Sequence, residues 1–382
     1  MTAGSAAETP TVGRLLFLEP FYGGSHREFA DGLVAHSRHA IDLRTLPARF
    51  WKWRMRGAAL HFARRVERPG AYRGLVVTDL MSLADLRSLW SPGCPPALAY
   101  FHENQLSYPV PEGETPDHQF GFTDITTALA ARRVLFNSRF QFEAFFDRLP
   151  GFIGMMPEHR PTWVVEAIRA KAAVLHPGCR FPAGPPRLEP RAPGPPLIVW
   201  NHRWEFDKRP GDFFAALAAV EARGRAFRLA LLGESFQAVP REFLAARERF
   251  GDRIVRYGFV EERGDYLDWL RRGAIVVSTA EQENFGMAVV EAIRHGCVPL
   301  LPARLSYPEI LEERFHAGCL YRGQDDLVRR LDALLADPSR LDGEREALAA
   351  SMERFAWERR AADFDAELLG LLSTPTDPAS PA

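Results

Sequence analysis

Residues 275–301 read IVVSTAEQENFGMAVVEAIRHGCVPLL. Ile275–Ser278 and Val298–Leu301 are short apolar runs, and the segment between them carries apolar residues at helical spacing. The pattern predicts a strand, a helix over Phe285–His295 ended by Gly296, and a second strand. Continuous apolar strands joined by a helix form a parallel pair covered on both faces. The same alternation extends to both sides. Apolar runs recur at Leu15–Leu18, Leu75–Thr78, Ala97–Phe101, Val134–Phe136 and Ala173–His176, and again at Leu197–Trp200, Arg228–Leu232 and Ile254–Tyr257. Helical patterns intervene near Ser25–Ser37, Thr123–Ala131 and Phe140–Leu149, then at Pro210–Ala222, Glu242–Phe250 and Glu262–Arg271. The class is α/β, with two doubly wound parallel sheets whose carboxyl ends face each other across a cleft.

Eight prolines crowd residues 177–196, a density that excludes a helix or a central strand. The expected layout is a domain at 13–180, a Pro-rich linker at 181–196, a second domain at 197–355 and a helix at 356–372. The tails at 1–12 and 373–382 are expected to be disordered. With 48 Lys+Arg against 49 Asp+Glu over 382 residues, the chain is not a globally basic nucleic-acid binder, although a local patch remains open. Cys94, Cys179, Cys297 and Cys319 are widely spaced, which argues against a disulfide framework or a zinc finger. No uncharged apolar run is long enough for a membrane helix, and no basic segment precedes an apolar one near the N-terminus. A cytoplasmic protein with no membrane or protein partner is the expectation.

Chemistry-bearing residues gather where strands end. Glu283 lies just before the predicted helix and Glu291 two turns inside it, roughly 12 Å apart along the axis. That span is too long for a shared proton or one metal, and it suits two contacts to different parts of an extended ligand. The amides of Asn284, Phe285 and Gly286 offer an anion site between them. After Leu197–Trp200 come Arg203 and Lys208, a fork and a point charge suited to a diphosphate or else paired with Glu205 and Asp207. The first strand runs into Gly23, Gly24 and Ser25, either a tight turn or a close backbone approach to an anion, with Ser25 as helix cap. His102, Glu103 and Asn104 follow Ala97–Phe101, and His102 there is a proton carrier or hydrogen-bond donor. Asn137 with Ser138 is either a ligand contact or a helix cap.

Arg44 to Arg73 holds nine Lys/Arg and a single acid, Glu67, with aromatics interleaved. Lys52, Trp53, Arg54 and Arg56 within it are either an RNA-binding surface or the solvated face of a helix. The Asp363–Asp365 pair reads as a solvated helix face, and no metal is expected. No GxGxxG follows the first strand, and there is no Walker loop or GxSxG elbow.

Two resemblances add to this reading. Glu283 to Glu291 matches the E-x7-E motif of retaining glycosyltransferases of the glycogen-synthase-like GT-B type, and Arg203 with Lys208 matches their phosphate-binding pair. EPFYGGSH, LPARFWKWRMRGAALHFA, YFHENQLSYPV, VLFNSRF, MPEHRP, WNHRWEFDK and ENFGMAVVEA resemble the tRNA-queuosine alpha-mannosyltransferase family, over residues 14 to about 360. The resemblance implies two Rossmann-like domains and transfer of mannose from GDP-mannose to the cyclopentenediol of queuosine in the anticodon of tRNA-Asp. It implies catalytic roles for His102 and Glu283, with His102 beside the sugar and Glu283 on the sugar hydroxyls. Glu291 would hold the ribose, and Arg203 and Lys208 the diphosphate, with Gly23, Gly24, Asn284, Phe285 and Gly286 closing on it. Lys52, Trp53, Arg54, Arg56, Glu103, Asn104 and Asn137 would serve the tRNA acceptor. The type needs no metal cofactor. Other readings are the same transfer to a glycan, lipid or small molecule, a non-catalytic RNA-binding module, and a sugar-nucleotide epimerase.

Overall fold

The computed structural model describes residues 14–110, 113, 115–181, 184–234 and 239–373. The tails assigned from sequence fall outside the described residues, apart from Ser373. The first sheet contains β1 (Leu15–Tyr22), β2 (Ile41–Pro47), β3 (Gly74–Thr78), β4 (Ala97–Phe101), β5 (Arg133–Phe136) and β6 (Ala172–Val174). The second contains β7 (Leu197–Trp200), β8 (Arg228–Leu231), β9 (Ile254–Tyr257), β10 (Ile275–Val277), β11 (Val298–Pro302) and β12 (Leu320–Tyr321).

Every pairing is parallel, in the orders β2-β1-β3-β4-β5-β6 and β12-β11-β10-β7-β8-β9. The winding reverses between β1 and β3 in the first sheet and between β7 and β10 in the second. Such switch points open a crevice at the carboxyl ends of the strands. Leu18 lies beside Val77 and Thr78 beside Tyr100. Glu19, Asp79 and His102 therefore emerge at one edge of the first sheet.

The central strands form because their side chains are buried on both faces. Leu15–Leu18, Val77, Tyr100, Ile198–Trp200 and Ile275–Val277 expose essentially nothing. β2 departs from that rule. Its sequence IDLRTLP alternates apolar and polar residues and half-exposes them at the sheet edge, so it carries no continuous apolar run.

The last helix, Trp357–Ser373, packs Trp357, Phe364, Leu368 and Leu371 onto the first sheet's core. Trp357 lies so close to Gly32 that a β-carbon there would come within 1.9 Å of its indole nitrogen. The reading of Asp363–Asp365 as a solvated face is corrected here. Asp363 stays at the surface beside Arg360. Asp365 is buried and accepts from Ser37 Oγ at 2.6 Å and from Arg38 N and Nε at 3.1 Å. It pins the turn that leads into β2, a role set by the helix's return to the first sheet.

The two sheets also meet through side chains. Glu309 Oε1 accepts from the Arg139 N–H at 2.7 Å and faces His176 Nε2 at 2.6 Å. Those hydrogen bonds hold Glu309 below the usual carboxylate range despite burial. Among the described residues no helix is long and apolar enough to cross a membrane.

Candidate functional site

The second sheet's switch point carries the densest polar arrangement. The turn after β7 and the loop after β10 are stitched together by backbone. The N–H groups of Glu281 and Gln282 donate to Asp207 O, and Thr279 Oγ1 donates to Lys208 O and Arg209 O. Within this clasp Lys208 Nζ donates to Gln282 O at 2.6 Å and lies 3.2 Å from Asp207 Oδ2 and 3.4 Å from Glu283 Oε2. Lys208 is buried, so these three oxygens fix its position.

Arg203 keeps an accessible side although protein surrounds it. Burial acts to lower its guanidinium, but Tyr108, Asp207, Glu205 and Glu103 raise it above its ordinary value. Tyr108 and Glu103 belong to the first sheet's loops, and Tyr108 OH donates to Asp207 at 3.3 Å across the cleft.

The loop after β10 ends in a left-handed turn. Gly286 sits at φ +95°, a conformation that favours glycine, and caps a helix running Met287–Arg294. The helix thus begins two residues later than the spacing predicted, and Glu291 lies about one turn inside it. Phe285 is a core side chain against His176 and Phe355. Its carbonyl accepts from Ser306 Oγ at 2.9 Å. Asn284 Oδ1 accepts from Gln282 Nε2. Glu291 is buried, receiving Arg263 Nη2 at 2.6 Å and Tyr266 OH at 3.4 Å. Burial raises its carboxyl and the Arg263 guanidinium counters that. Each Glu291 oxygen retains lone pairs, so the carboxylate can still accept from a vicinal diol.

Across the cleft, Gly24 (φ +51°) opens the helix Gly24–His36 with free space beside its α-carbon. Gly23 has a packing reason to be glycine, since a β-carbon would lie 2.4 Å from that of Ala48. Gly23 is also the helix cap, so Ser25 is inside the helix and not its cap. His102 is held by its own backbone: its N–H donates to Asp79 Oδ1 at 2.7 Å and its carbonyl accepts from Asn137 Nδ2 at 2.9 Å. Asn104 shapes its loop by accepting from Ser107 N and Oγ. Ser138 caps the next helix by accepting from Gln141 N, one of the two readings its position left open. Burial raises Asp79 to about 7, although His26 acts against it, and raises Glu103 as well.

The middle of the basic stretch folds as the helix Trp51–Arg65, while Arg44 lies in β2 and Arg49, Arg68 and Arg73 in the flanking segments. Met55, Ala58, Ala59 and Phe62 face the core, while Lys52, Trp53, Arg56, Leu60 and Arg64 lie on the exposed side. Trp53 is 76% exposed and Phe50 68%. Arg56 lies over the Phe120 ring, and Arg54 is spent on Pro47 O at 3.1 Å.

One trio has metal-ligand chemistry. Glu19, His26 and His102 each bring a ligand atom within 4.8 Å of the others. His26 Nδ1 already faces Glu19, however, and the two imidazoles stack 4.0 Å apart with a 34° tilt. Stacked rings do not aim their in-plane lone pairs at one point, so the trio fits a metal poorly.

Residues 14–179 match the family model described as tRNA-queuosine alpha-mannosyltransferase N-terminal, and residues 187–353 match glycosyl transferases group 1. The tRNA-queuosine alpha-mannosyltransferase of Drosophila melanogaster is 38% identical over 333 residues, covering 83% of this chain and 85% of that protein. The chain belongs to the tRNA-queuosine alpha-mannosyltransferase family. It is a glycosyltransferase. A D-inositol 3-phosphate glycosyltransferase from Streptomyces bingchenggensis is 31% identical over 121 residues, 31% of this chain and 26% of that protein.

Sucrose-phosphate synthase from Thermosynechococcus elongatus superposes with a TM-score of 0.70 at 16% identity, covering 94% of this chain and 99% of that one. Anabaena HepE, in complex with UDP and glucose, gives 0.64 at 13% identity with the same coverage. These likenesses show the GT-B fold for this member of the tRNA-queuosine alpha-mannosyltransferase family.

Within that fold, Arg203, Lys208 and Glu283 lie together at one switch point, with Asn284 and Gly286 in the same loop. His102, Glu103 and Asn137 lie at the opposing sheet edge, while Lys52, Trp53 and Arg56 lie on a separate outer helix. Sequence reading missed Asp79 and His202. Asp79 follows β3 as His102 follows β4, so the same rule extended to that strand finds it. His202 is buried 4.0 Å from Glu283 Oε2, and burial lowers it to about 4.

Proposed function

We propose that this glycosyltransferase moves mannose from GDP-mannose to the cyclopentenediol of queuosine in the anticodon of tRNA-Asp, retaining the anomeric configuration. The observation that carries the reading is the near full-length similarity to the Drosophila enzyme of that name. The clasp of Lys208 and Glu283 beside Arg203, opposite His102, supports a sugar-diphosphate donor.

In this mechanism Arg203 and Lys208 bind the diphosphate and offset the charge that grows on it as the glycosidic bond breaks. The amides of Asn284–Gly286 and the Gly23–Gly24 turn close on the same phosphates. Glu291 takes the ribose diol. Glu283 accepts from the sugar hydroxyls, and His102 hydrogen-bonds the sugar from the opposite sheet. The leaving phosphate oxygen takes the acceptor's proton on the same face, so no separate base is required. Two cations and the amides supply the charge a metal would otherwise bring, and turnover is expected to persist in excess EDTA. Glu103 would meet the entering acceptor, with the buried Asn104 and Asn137 shaping the loops behind it, and the outer helix would take the anticodon arm through Lys52, Trp53 and Arg56 while Arg54 stays on Pro47 O.

The test is incubation with GDP-mannose, and separately with other nucleotide sugars, plus total tRNA, followed by nucleoside mass spectrometry. The expected product is hexosyl-queuosine from GDP-mannose. A hexose on queuosine from another donor corrects the donor. No modified nucleoside with any donor overturns the acceptor and returns the glycan, lipid or small-molecule alternatives.

A further inference from the structure

The motif EPFYGGSH begins with Glu19 and ends with His26, and neither has a part in the chemistry above. Glu19 is fully buried at the edge of the first sheet. Its Oε1 accepts from the Phe21 N–H at 2.8 Å, and its two oxygens face His26 Nδ1 at 3.2 and 3.3 Å. The His26 ring lies over the His102 ring, with centroids 4.0 Å apart. Phe29 and Tyr100 meet the His102 ring edge-on, each at 5.0 Å. With Asp79 and Asn137 holding its backbone, His102 is fixed on every side. Its buried Nε2 nevertheless has no partner among the described residues, and a buried polar atom of this kind calls for an explanation.

A buried carboxylate against a buried imidazole favours the imidazolium. Burial works against this at His26, but Glu19, Asp79 and Glu103 prevail and raise it to about 9. A second positive ring 4 Å away is then strongly disfavoured, and burial with His26 drives His102 well below its ordinary value. The ionisable groups facing the pair are Glu19 within β1, Asp79 after β3, Tyr100 in β4 and Glu103 after it. Asp124 stands behind Asp79 and Glu103 on the helix His118–Ala130. The helix Trp357–Ser373 contributes only aromatic packing, through Trp357 and Phe364 against Phe29.

We propose that Glu19 and His26 are positioning residues for His102, an ion pair that fixes the orientation of its ring and keeps it an uncharged hydrogen-bonding group at the donor sugar. The placement at the donor sugar rests on the function proposed above. The charge state and stacking do not.

Two measurements separate these. Histidine labelled with ¹³C at Cε1, with the His102 signal assigned through His102→Gln, reports the ring directly. In the wild type that signal is expected to stay unshifted from pH 5.5 to 8.5. In Glu19→Gln and His26→Gln burial still acts on the ring, and its midpoint is expected to rise enough to move the signal at the acid end of that window; no movement in either variant overturns the proposal. Mannosyl transfer by His26→Gln should lose a larger fraction of kcat at pH 5.5 than at pH 8.5, where the loss stays below about threefold, with GDP affinity within about twofold.

A His102 signal that titrates in the wild type with a midpoint above 6 overturns the proposal. So does an equal fractional loss of kcat at every pH, the mark of a merely structural role. Saturable Zn²⁺ binding to the wild type that both variants abolish overturns it too, in favour of a metal site. Should His26→Gln fail to fold, the wild-type and Glu19→Gln titrations still decide. Should the wild type glycosylate nothing, the functional reading fails and the titration still judges the pair.

Discussion

Lys208 Nζ lies 3.4 Å from Glu283 Oε2, so the cation assigned to the diphosphate and the carboxylate assigned to the sugar partly neutralise each other. The pair is held by the clasp between the β7 and β10 loops and needs no donor to assemble. Glu283→Gln should therefore lower kcat by about 10²-fold, because a neutral amide stabilises the developing oxocarbenium charge less than a carboxylate. The same change frees Lys208 from one of its two acids. GDP should bind as tightly as to the wild type or more tightly, read by calorimetry. Near-normal turnover would remove Glu283 from the site, and weakened GDP binding would mean the clasp had come apart.

The cations make the opposite prediction. Lys208→Ala should weaken GDP binding by about 2–4 kcal/mol, the range for a buried charge paired with phosphate, and Arg203→Ala should weaken it by less because that side chain keeps solvent access. Lys208→Ala should also lower the melting temperature, since Asp207 and Gln282 O lose a buried partner. Arg203→Ala should not, because its side chain keeps solvent access. Calorimetry with GDP alone is sufficient. Unchanged affinity in both variants would make these cations partners of neighbouring acids only.

The residues legible in the sequence were those whose role follows from their own strand. Ala97–Phe101 and Leu197–Trp200 are apolar throughout, and the polar groups after them had to lie at a sheet edge. What stayed hidden depends on strand order. Glu19, His26, Asp79 and His102 meet because β3 pairs with both β1 and β4, a fact of topology that no local pattern carries. Asp365 was misread for a related reason. Its helix looks amphipathic with an acidic face, but the chain returns it to the first sheet, where that face meets Ser37 and Arg38.

His202 sets an acid limit on stability. Burial lowers it from 6.5 to about 4, so between those values the unfolded chain binds a proton that the folded chain refuses. Stability from this residue is complete above pH 6.5 and is lost as pH falls towards 4. At pH 5 the loss should be about 2 kcal/mol relative to pH 7.5. His202→Gln lacks the titrating group, so its urea-unfolding midpoint should fall less over that interval. Parallel wild-type and variant curves would mean that His202 accepts its proton without cost in the folded state.

The outer helix separates charge from stacking. Nine cations against a single acid between Arg44 and Arg73 are out of proportion in a chain of net charge -1, and the exposed face of Trp51–Arg65 gathers Lys52, Trp53 and Arg56. Arg54 differs, because its guanidinium is tied to Pro47 O and burial lowers it. Lys52→Ala with Arg56→Ala should weaken tRNA binding and flatten its log–log salt dependence by about 1.4, or 0.7 for each lost phosphate contact. Adding Arg54→Ala should change stability more than slope. Trp53→Ala should cost about 1–3 kcal/mol of binding with the slope unchanged, because stacking on an unpaired base releases no counterions. GDP affinity should be untouched in all of these, since its cations lie on the other sheet. If the double variant binds tRNA with wild-type affinity and slope, the helix is a solvated face and the anticodon arm must dock elsewhere.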